Sequence, residues 1–226
     1  INTLWDYYKA TNDRETLEEL WPTALRQIEL AKEHLDEEYL VRDSDVLGWC
    51  FVDWNLNLNK QASAQGILLY ALSAAIRITQ VLGEVLEEEK LAELYCECRN
   101  AASVRLWDKE KQCYISGKDR QVSVASQVWM VLGEAVEDSA AQQLMDRVEN
   151  LDNAEGMVTP YMYHNYIDAL LHVGEKNKAL QKLEIYWGGM VRLGADTFWE
   201  LYNPENADES PYGGTIVNSY CHAWSC

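Results

Sequence analysis

The sequence predicts an all-α fold built from successive helical hairpins. Apolar residues recur at three- and four-residue steps almost throughout, as on one face of a helix. Three Gly-acidic pairs, Gly83-Glu84, Gly133-Glu134 and Gly174-Glu175, each end an Ala- or Leu-rich segment. A glycine followed by a second, more polar helix is typical of a hairpin turn. The pairs lie about 40–50 residues apart, as in repeated hairpins that form either an open superhelix or a closed ring with two helix layers.

The individual helices follow from the same periodicity. Asn12, with Glu15 three residues later, predicts the start of a helix. Pro22 is expected to kink this helix or to restart it one turn later. The helix carries one apolar stripe: Leu17, Leu20, Trp21, Ala24, Ile28, Ala31, Leu35. Residues 61–82 predict a helix buried nearly all round, and residues 86–107 an amphipathic partner. Residues 112–116 and 120–122 predict a short strand hairpin.

Two long segments, 39–59 and 195–218, break the helical pattern. Long loops within a helical domain are usually functional or disordered, and the aromatic content of both segments argues against disorder. The first contains Trp49, Phe51 and Trp54, and the second contains Trp199 and Tyr212. Since loops between paired helices emerge at the ends of the array, we expect the two segments to meet at one mouth.

Composition excludes several function classes. The net charge of -18 over 226 residues argues against nucleic-acid binding and against an anionic membrane surface, because both require basic patches. No stretch is expected to reach membrane-spanning length, and no signal peptide is expected. Nine Trp and thirteen Tyr against two Phe suit a partly wet cleft as well as a helical core.

The six cysteines form no C-x-x-C pair, and no histidine lies at zinc spacing from them. Unpatterned cysteines favour free thiols in a reducing compartment, so we expect a cytoplasmic protein, with a periplasmic or secreted one as the alternative. We expect no metal and no cofactor. The chain begins at Ile1 without Met, which predicts a piece of a longer protein whose remainder is its partner.

Candidate site residues cluster in the two loops. Glu200 lies among aromatic residues in Thr197-Phe198-Trp199-Glu200, and His222-Ala223-Trp224 follows. Aromatic rings stack on the C–H face of a sugar, while carboxylate and imidazole groups bind its hydroxyls. Asp53-Trp54 is the equivalent pair of the first loop. The residues therefore favour a helical domain that binds or cleaves carbohydrate.

Asp53-Trp54, Trp187-Gly-Gly-Met190, Thr197-Phe-Trp-Glu200 and His222-Ala-Trp224 together resemble the catalytic domain of the family 78 α-L-rhamnosidases. The resemblance spans the whole chain and implies an (α/α)6 six-hairpin toroid. It implies inverting hydrolysis of terminal α-L-rhamnosyl groups, with Glu200 as the general base. We expect the rhamnose ring to contact a set of five residues: Asp53, Trp54, Trp199, His222, Trp224.

The family's acidic motif of Asp-Glu-Arg-Leu-Gly-Trp type is missing; only Leu47-Gly48-Trp49 is similar to its end. An inverting enzyme requires two carboxyl groups, so the general acid is expected outside this chain. Residues 1–226 are thus interpreted as one helical domain, the C-terminal part of the barrel and about two-thirds of it. We expect the isolated chain to be inactive.

Three alternatives stay open. Another six-hairpin enzyme would act on a different sugar, such as a glucosyl or glucuronyl group. An α-helical-repeat interaction module would spread the aromatic residues among its hairpins. A sugar-binding relative would have lost catalysis. If the chain belongs to an α-L-rhamnosidase, the expected substrate is a rhamnosylated glycoside or polysaccharide.

Overall fold

Helices carry most of the chain in the computed structural model, which describes residues 1–44, 48, 50–206 and 215–225. Leu47, Trp49 and Tyr212, named above, lie outside the described residues. Single 3₁₀ turns occupy Val148–Asn150, Thr215–Val217 and Ala223–Ser225. The helices are α1 (Asn2–Thr11), α2 (Arg14–Lys32), α3 (Gln61–Leu82), α4 (Val85–Arg105), α5 (Val124–Leu132), α6 (Asp138–Arg147), α7 (Pro160–His172) and α8 (Lys176–Arg192).

The predicted hairpin turns are confirmed, with one difference in their chemistry. Gly83 and Gly174 adopt positive φ, 79° and 84°, as expected of glycines that end a helix. Gly133 has φ −77° instead, and Glu134 adopts the left-handed conformation with φ 54°. A Cβ on Gly133 would lie 2.6 Å from the carbonyl oxygen of Gly66, so this glycine is required by close packing rather than by its φ.

The helices alternate between an apolar inner layer and a more polar outer layer. Helices α3, α5 and α7 pack side by side, and α4, α6 and α8 return along the outside. Helix α5 is buried along its whole length, and α3 buries residues on every turn but its last. Helices α3 and α5 approach closely because Gly66 offers no Cβ to the backbone of Trp129. The α1–α2 pair packs against the other side of α3.

Helix α3 corrects one expectation. Its 22 residues and its mean hydropathy of 1.3 meet the length and composition of a membrane span, so the sequence-based expectation that no stretch does so is wrong. Half of its apolar window is buried inside the fold, against α2, α4 and α5. Burial of this kind is also what the central helix of a helical core shows.

The start of α2 differs from the prediction. Asp13 is the N-cap, and its carboxylate accepts the backbone N–H of Thr16 at 3.1 Å. Asn12 instead ends α1 in the left-handed conformation, with φ 56°. Helix α2 runs through Pro22 without interruption.

A three-stranded antiparallel sheet joins α4 to α5. The strands are β1 (Trp107–Asp108), β2 (Cys113–Ser116) and β3 (Gln121–Val122). The β2–β3 hairpin was predicted, and Ile115 pairs with Val122. The sequence pattern missed β1, because its two residues continue the helical periodicity of α4.

The first long segment, 39–59, packs on another loop at one end of the helix layers. Ser123, the N-cap of α5, bridges to Glu155, which precedes α7. The Asn55 side chain donates to the Glu155 carboxylate at 3.2 Å and to the Gly156 carbonyl at 3.1 Å. Thus the loop before α3 lies on the loop before α7, at the N-terminal ends of the inner helices.

Candidate active site

Trp224 lies at the centre of a group of aromatic side chains drawn from three parts of the chain. Its ring stacks on Phe51 at 5.2 Å between centroids, and it contacts Trp54 and Tyr161, each at 6.4 Å. The His222 imidazole lies 4.4 Å from the same ring. We call Phe51, Trp54, Tyr161, His222 and Trp224 the Trp224 ring group. These contacts place the first long segment against Trp224, which follows the second long segment in the chain.

Glu200 lies directly beside this group. The Trp224 indole N–H donates to the Glu200 carbonyl oxygen at 2.9 Å. The Glu200 side chain is 6% exposed, and its Oε2 accepts the backbone N–H of Ser219 at 2.8 Å. The Glu200 N–H in turn donates to the Ser219 carbonyl at 2.9 Å. Ser219 therefore fixes both the backbone and the carboxylate of Glu200.

Hydrogen bonds between two segments of the chain hold the site together. The His222 N–H donates to the Phe198 carbonyl at 2.8 Å, and the Thr197 hydroxyl donates to the Tyr220 carbonyl. With the Glu200–Ser219 pair, these bonds align residues 197–200 with residues 219–222. The His222 Nδ1 accepts the backbone N–H of Trp224 at 3.4 Å, and this bond orients the imidazole along the indole.

Asp53 has contacts of a different kind from those expected. Its carboxylate is 3% exposed and accepts the backbone N–H groups of Val158 at 2.7 Å and Thr159 at 2.9 Å. Burial raises the pKa of this carboxyl, while hydrogen bonds from Thr159, Val158 and Trp54 act in the opposite direction. Asp53 thus ties its loop to the start of α7. Its predicted contact with a sugar hydroxyl stays a prediction.

Trp199 lies with other rings. Its indole makes edge contacts with Tyr220 at 5.3 Å and with Tyr202 at 6.4 Å. Trp199 is half-buried, whereas the next residue, Glu200, is buried. The structure therefore brings Trp54, Glu200, His222 and Trp224 together, and Trp199 contacts a separate pair of rings.

The sequence pattern predicted neither a role for Ser219 nor the place of Tyr161 in the Trp224 ring group. Burial raises the pKa of Tyr161, whose ring also contacts Phe51 at 5.8 Å and Trp129 at 6.1 Å. The signal for Tyr161 was its place next to Pro160, at the first turn of α7 and hence at the mouth. Ser219 acts through its backbone, which no residue pattern reveals. His164, on α7, is exposed.

The described cysteines, Cys50, Cys96, Cys98, Cys113 and Cys221, are free thiols. Within the described part of the chain, no three His, Cys, Asp or Glu side chains are grouped as a metal site would require.

Comparison with known proteins decides the family. The family model for the bacterial α-L-rhamnosidase six-hairpin glycosidase domain matches residues 1–226. The chain belongs to this family. The predicted six-hairpin helical fold and the resemblance to α-L-rhamnosidases are confirmed, and the four described hairpins, α1–α2 to α7–α8, are the part of that architecture seen here.

Solved structures agree with this assignment. The rhamnosidase domain is similar to a rhamnosidase from Klebsiella oxytoca with rhamnose bound, with a TM-score of 0.94 and 44% identity over 100% of this chain and 44% of that one. It also resembles the fold of a GH78 family rhamnosidase of Bacillus sp. GL1, with a TM-score of 0.83 and 23% identity over 98% of this chain and 24% of that one. The chain thus spans less than half the length of either structure. Among curated proteins, none matches.

Proposed function

We propose that the protein containing this domain hydrolyses terminal α-L-rhamnosyl groups of a glycoside or polysaccharide. Family membership and the 44% identical neighbour with rhamnose bound support this substrate class. The observation that carries the proposal is the contact between the Trp224 ring group and Glu200. The hydrogen bond from the Trp224 indole to the Glu200 backbone carbonyl places a buried glutamate beside a group of aromatic rings. In a site of this kind a sugar ring can stack while its reacting carbon faces an acid or base.

In this proposal, Trp54 and Trp224 form an apolar surface against the rhamnose ring. Rhamnose carries a methyl group at C6, and such a group favours an apolar wall over a polar one. The His222 imidazole, held along the Trp224 indole, is available to bind a hydroxyl. Trp199 and Asp53 keep their predicted roles as a further wall and a hydroxyl ligand, which the test below includes.

Glu200 is proposed as the general base. Its carboxylate takes a proton from a water molecule, and the water oxygen forms a bond to the anomeric carbon on the face opposite the leaving group. The glycosidic C–O bond breaks, and its electron pair stays with the aglycone oxygen, which takes a proton from a general acid. The product is rhamnose with inverted anomeric configuration. The Ser219 N–H orients Oε2 for this role.

The general acid is proposed to lie outside residues 1–226. In inverting enzymes the two carboxyl groups stand about 6.5–9.5 Å apart, with the water and the sugar between them. The isolated chain is therefore expected to release no nitrophenol from 4-nitrophenyl α-L-rhamnoside, whereas the full-length protein hydrolyses it. Hydrolysis by the isolated chain would show that this chain holds both groups.

A substrate panel tests the function. The full-length protein is expected to prefer 4-nitrophenyl α-L-rhamnoside over the α-glucoside and the β-glucuronide, and proton NMR of the first product is expected to show the β anomer. A preference for either other sugar would contradict the substrate class. Initial formation of the α anomer would contradict the role of Glu200 as a base, because retention requires a nucleophile. In the same assay, Trp199→Ala is expected to raise KM if Trp199 is a wall.

A further inference from the structure

The two loops that carry Trp54 and Trp224 are both fastened to the α7–α8 hairpin. On the first side, the Asp53 carboxylate binds the N–H groups of Val158 and Thr159. The Val158 carbonyl accepts the Tyr186 hydroxyl of α8 at 2.7 Å. Tyr186 is fully buried, so its ring cannot move without the surrounding core.

The second side begins at the next residue of α8. The Trp187 ring meets Tyr186 edge-on at 4.9 Å. Its indole N–H donates to the carbonyl oxygen of Ser225 at 2.8 Å and lies 3.2 Å from the Ser225 hydroxyl. Ser225 is 1% exposed and directly follows Trp224. Trp187 therefore anchors the segment that carries the central ring of the Trp224 ring group.

We propose that Trp187 is a positioning residue for the sugar site, and that Tyr186 serves the opposite loop in the same way. Neither side chain contacts the sugar. Together they fix Trp224 and Trp54 relative to one rigid helix, so that the two rings keep their 6.4 Å separation. This inference rests on the proposed function for the sugar, but the hydrogen-bonded connection itself does not.

The geometry explains why an indole is needed at position 187. A tryptophan donates one hydrogen bond from the edge of a large apolar ring, so it can pack on Tyr186 and still reach a backbone carbonyl. Phenylalanine keeps the apolar ring and removes the donor. The carbonyl of Ser225, a buried residue, would then lack its partner.

Trp187→Phe in the full-length protein tests the proposal, with Trp21→Phe as the matched control. Trp21 lies on α2, and its indole N–H likewise donates to a residue distant in the chain, the Glu84 carboxylate at 2.8 Å. Trp21 is buried and Trp187 is half-buried. Hydrogen exchange followed by mass spectrometry reports the segment itself. Backbone amides of residues 222–225 are expected to exchange about fivefold faster in Trp187→Phe, as loss of one net hydrogen bond implies, and unchanged in Trp21→Phe.

Kinetics separate positioning from a general loss of stability. Trp187→Phe is expected to raise KM for 4-nitrophenyl α-L-rhamnoside about fivefold and to change kcat less than about twofold, because the Glu200–Ser219 pair stays intact. Tyr186→Phe removes only the hydroxyl bond to Val158, which supports the loop that carries Trp54. It is likewise expected to raise KM and to leave kcat nearly unchanged. It serves as the second variant if Trp187→Phe does not fold.

The outcomes distinguish the two proposals. A wild-type protein that neither binds nor hydrolyses rhamnosides refutes the proposed function, whatever the exchange rates. An active wild type whose Trp187→Phe and Tyr186→Phe variants keep the wild-type KM refutes the positioning role. Exchange at residues 222–225 that is equal in Trp187→Phe and Trp21→Phe also refutes it. An equal fall of kcat in all variants would indicate a structural effect alone and overturns the proposal.

Discussion

Replacing Asp53 by asparagine distinguishes a buried structural carboxylate from a sugar ligand. The two carboxylate oxygens of Asp53 accept the N–H groups of Val158 and Thr159. Asparagine retains one acceptor oxygen and turns an NH₂ group toward the other N–H. One buried N–H then lacks an acceptor, and such a group costs about 1–3 kcal/mol. Alanine removes both acceptors, so Asp53→Ala is expected to cost about twice as much.

Urea unfolding at pH 7, followed by far-UV circular dichroism, measures these free energies. The matched control is Asp13, the half-buried N-cap of α2. Asparagine caps helices as well as aspartate does, so Asp13→Asn is expected to stay within about 0.5 kcal/mol of the wild type, and Asp13→Ala to lose about 1 kcal/mol. The same substitutions are thus expected to lower the free energy of unfolding more at position 53 than at position 13.

The kinetic result complements the stability series. If Asp53 only bound a sugar hydroxyl, Asp53→Asn would raise KM of the full-length protein and leave the unfolding free energy unchanged, because surface substitutions stay within about 0.5 kcal/mol. An unfolding free energy for Asp53→Asn as close to the wild type as that of Asp13→Asn would refute the structural reasoning. A loss of stability with an unchanged KM would refute the hydroxyl contact instead.

Two further predictions concern the core and the thiols. Gly66→Ala would place a Cβ 2.5 Å from the backbone of Trp129, so urea unfolding should show a loss of about 1–3 kcal/mol. A Cβ at Gly188 would meet only side-chain atoms, of Arg192 at 3.3 Å and of Glu184 at 3.9 Å, so Gly188→Ala should be neutral or stabilising by up to about 1 kcal/mol. Equal effects of the two substitutions would contradict the close helix crossing. Burial raises the pKa of the Cys98 thiol to about 12, whereas Cys96 is exposed. Brief treatment with iodoacetamide at pH 8, read out by tandem mass spectrometry, should therefore alkylate Cys96 and leave Cys98 unmodified. Equal alkylation of both would mean that this face of α4 opens.

Local rules predicted the helices because the periodicity and the terminal glycines act over one or two turns. They failed where tertiary contacts decide. Gly133 looks like a helix-ending glycine by sequence, yet its φ of −77° does not require glycine, whereas the close approach of Gly66 does. Asn12 and Asp13 both suit a helix start, and only the packing of α1 against α2 assigns Asn12 to the end of α1.

The candidate site was predictable to the extent that its residue types are unusual. Tryptophans beside acidic residues marked both loops, and the structure brings Trp54 and Trp224 into contact. A residue's neighbours in space are not encoded in its local pattern. For this reason the backbone role of Ser219, the donors that bind Asp53 and the separate position of Trp199 emerged only from the fold.

The rate of rhamnoside hydrolysis by Glu200→Gln in the full-length protein tests the central claim most directly. Glutamine keeps the shape of the side chain and cannot take a proton from water. Loss of a general base is expected to lower kcat on 4-nitrophenyl α-L-rhamnoside by about 10²–10⁴-fold, with KM little changed and the unfolding transition preserved. Glu205→Gln, at an exposed carboxylate of the same loop, should retain wild-type kcat. A Glu200→Gln protein that keeps the wild-type kcat would contradict the role of Glu200 as the base.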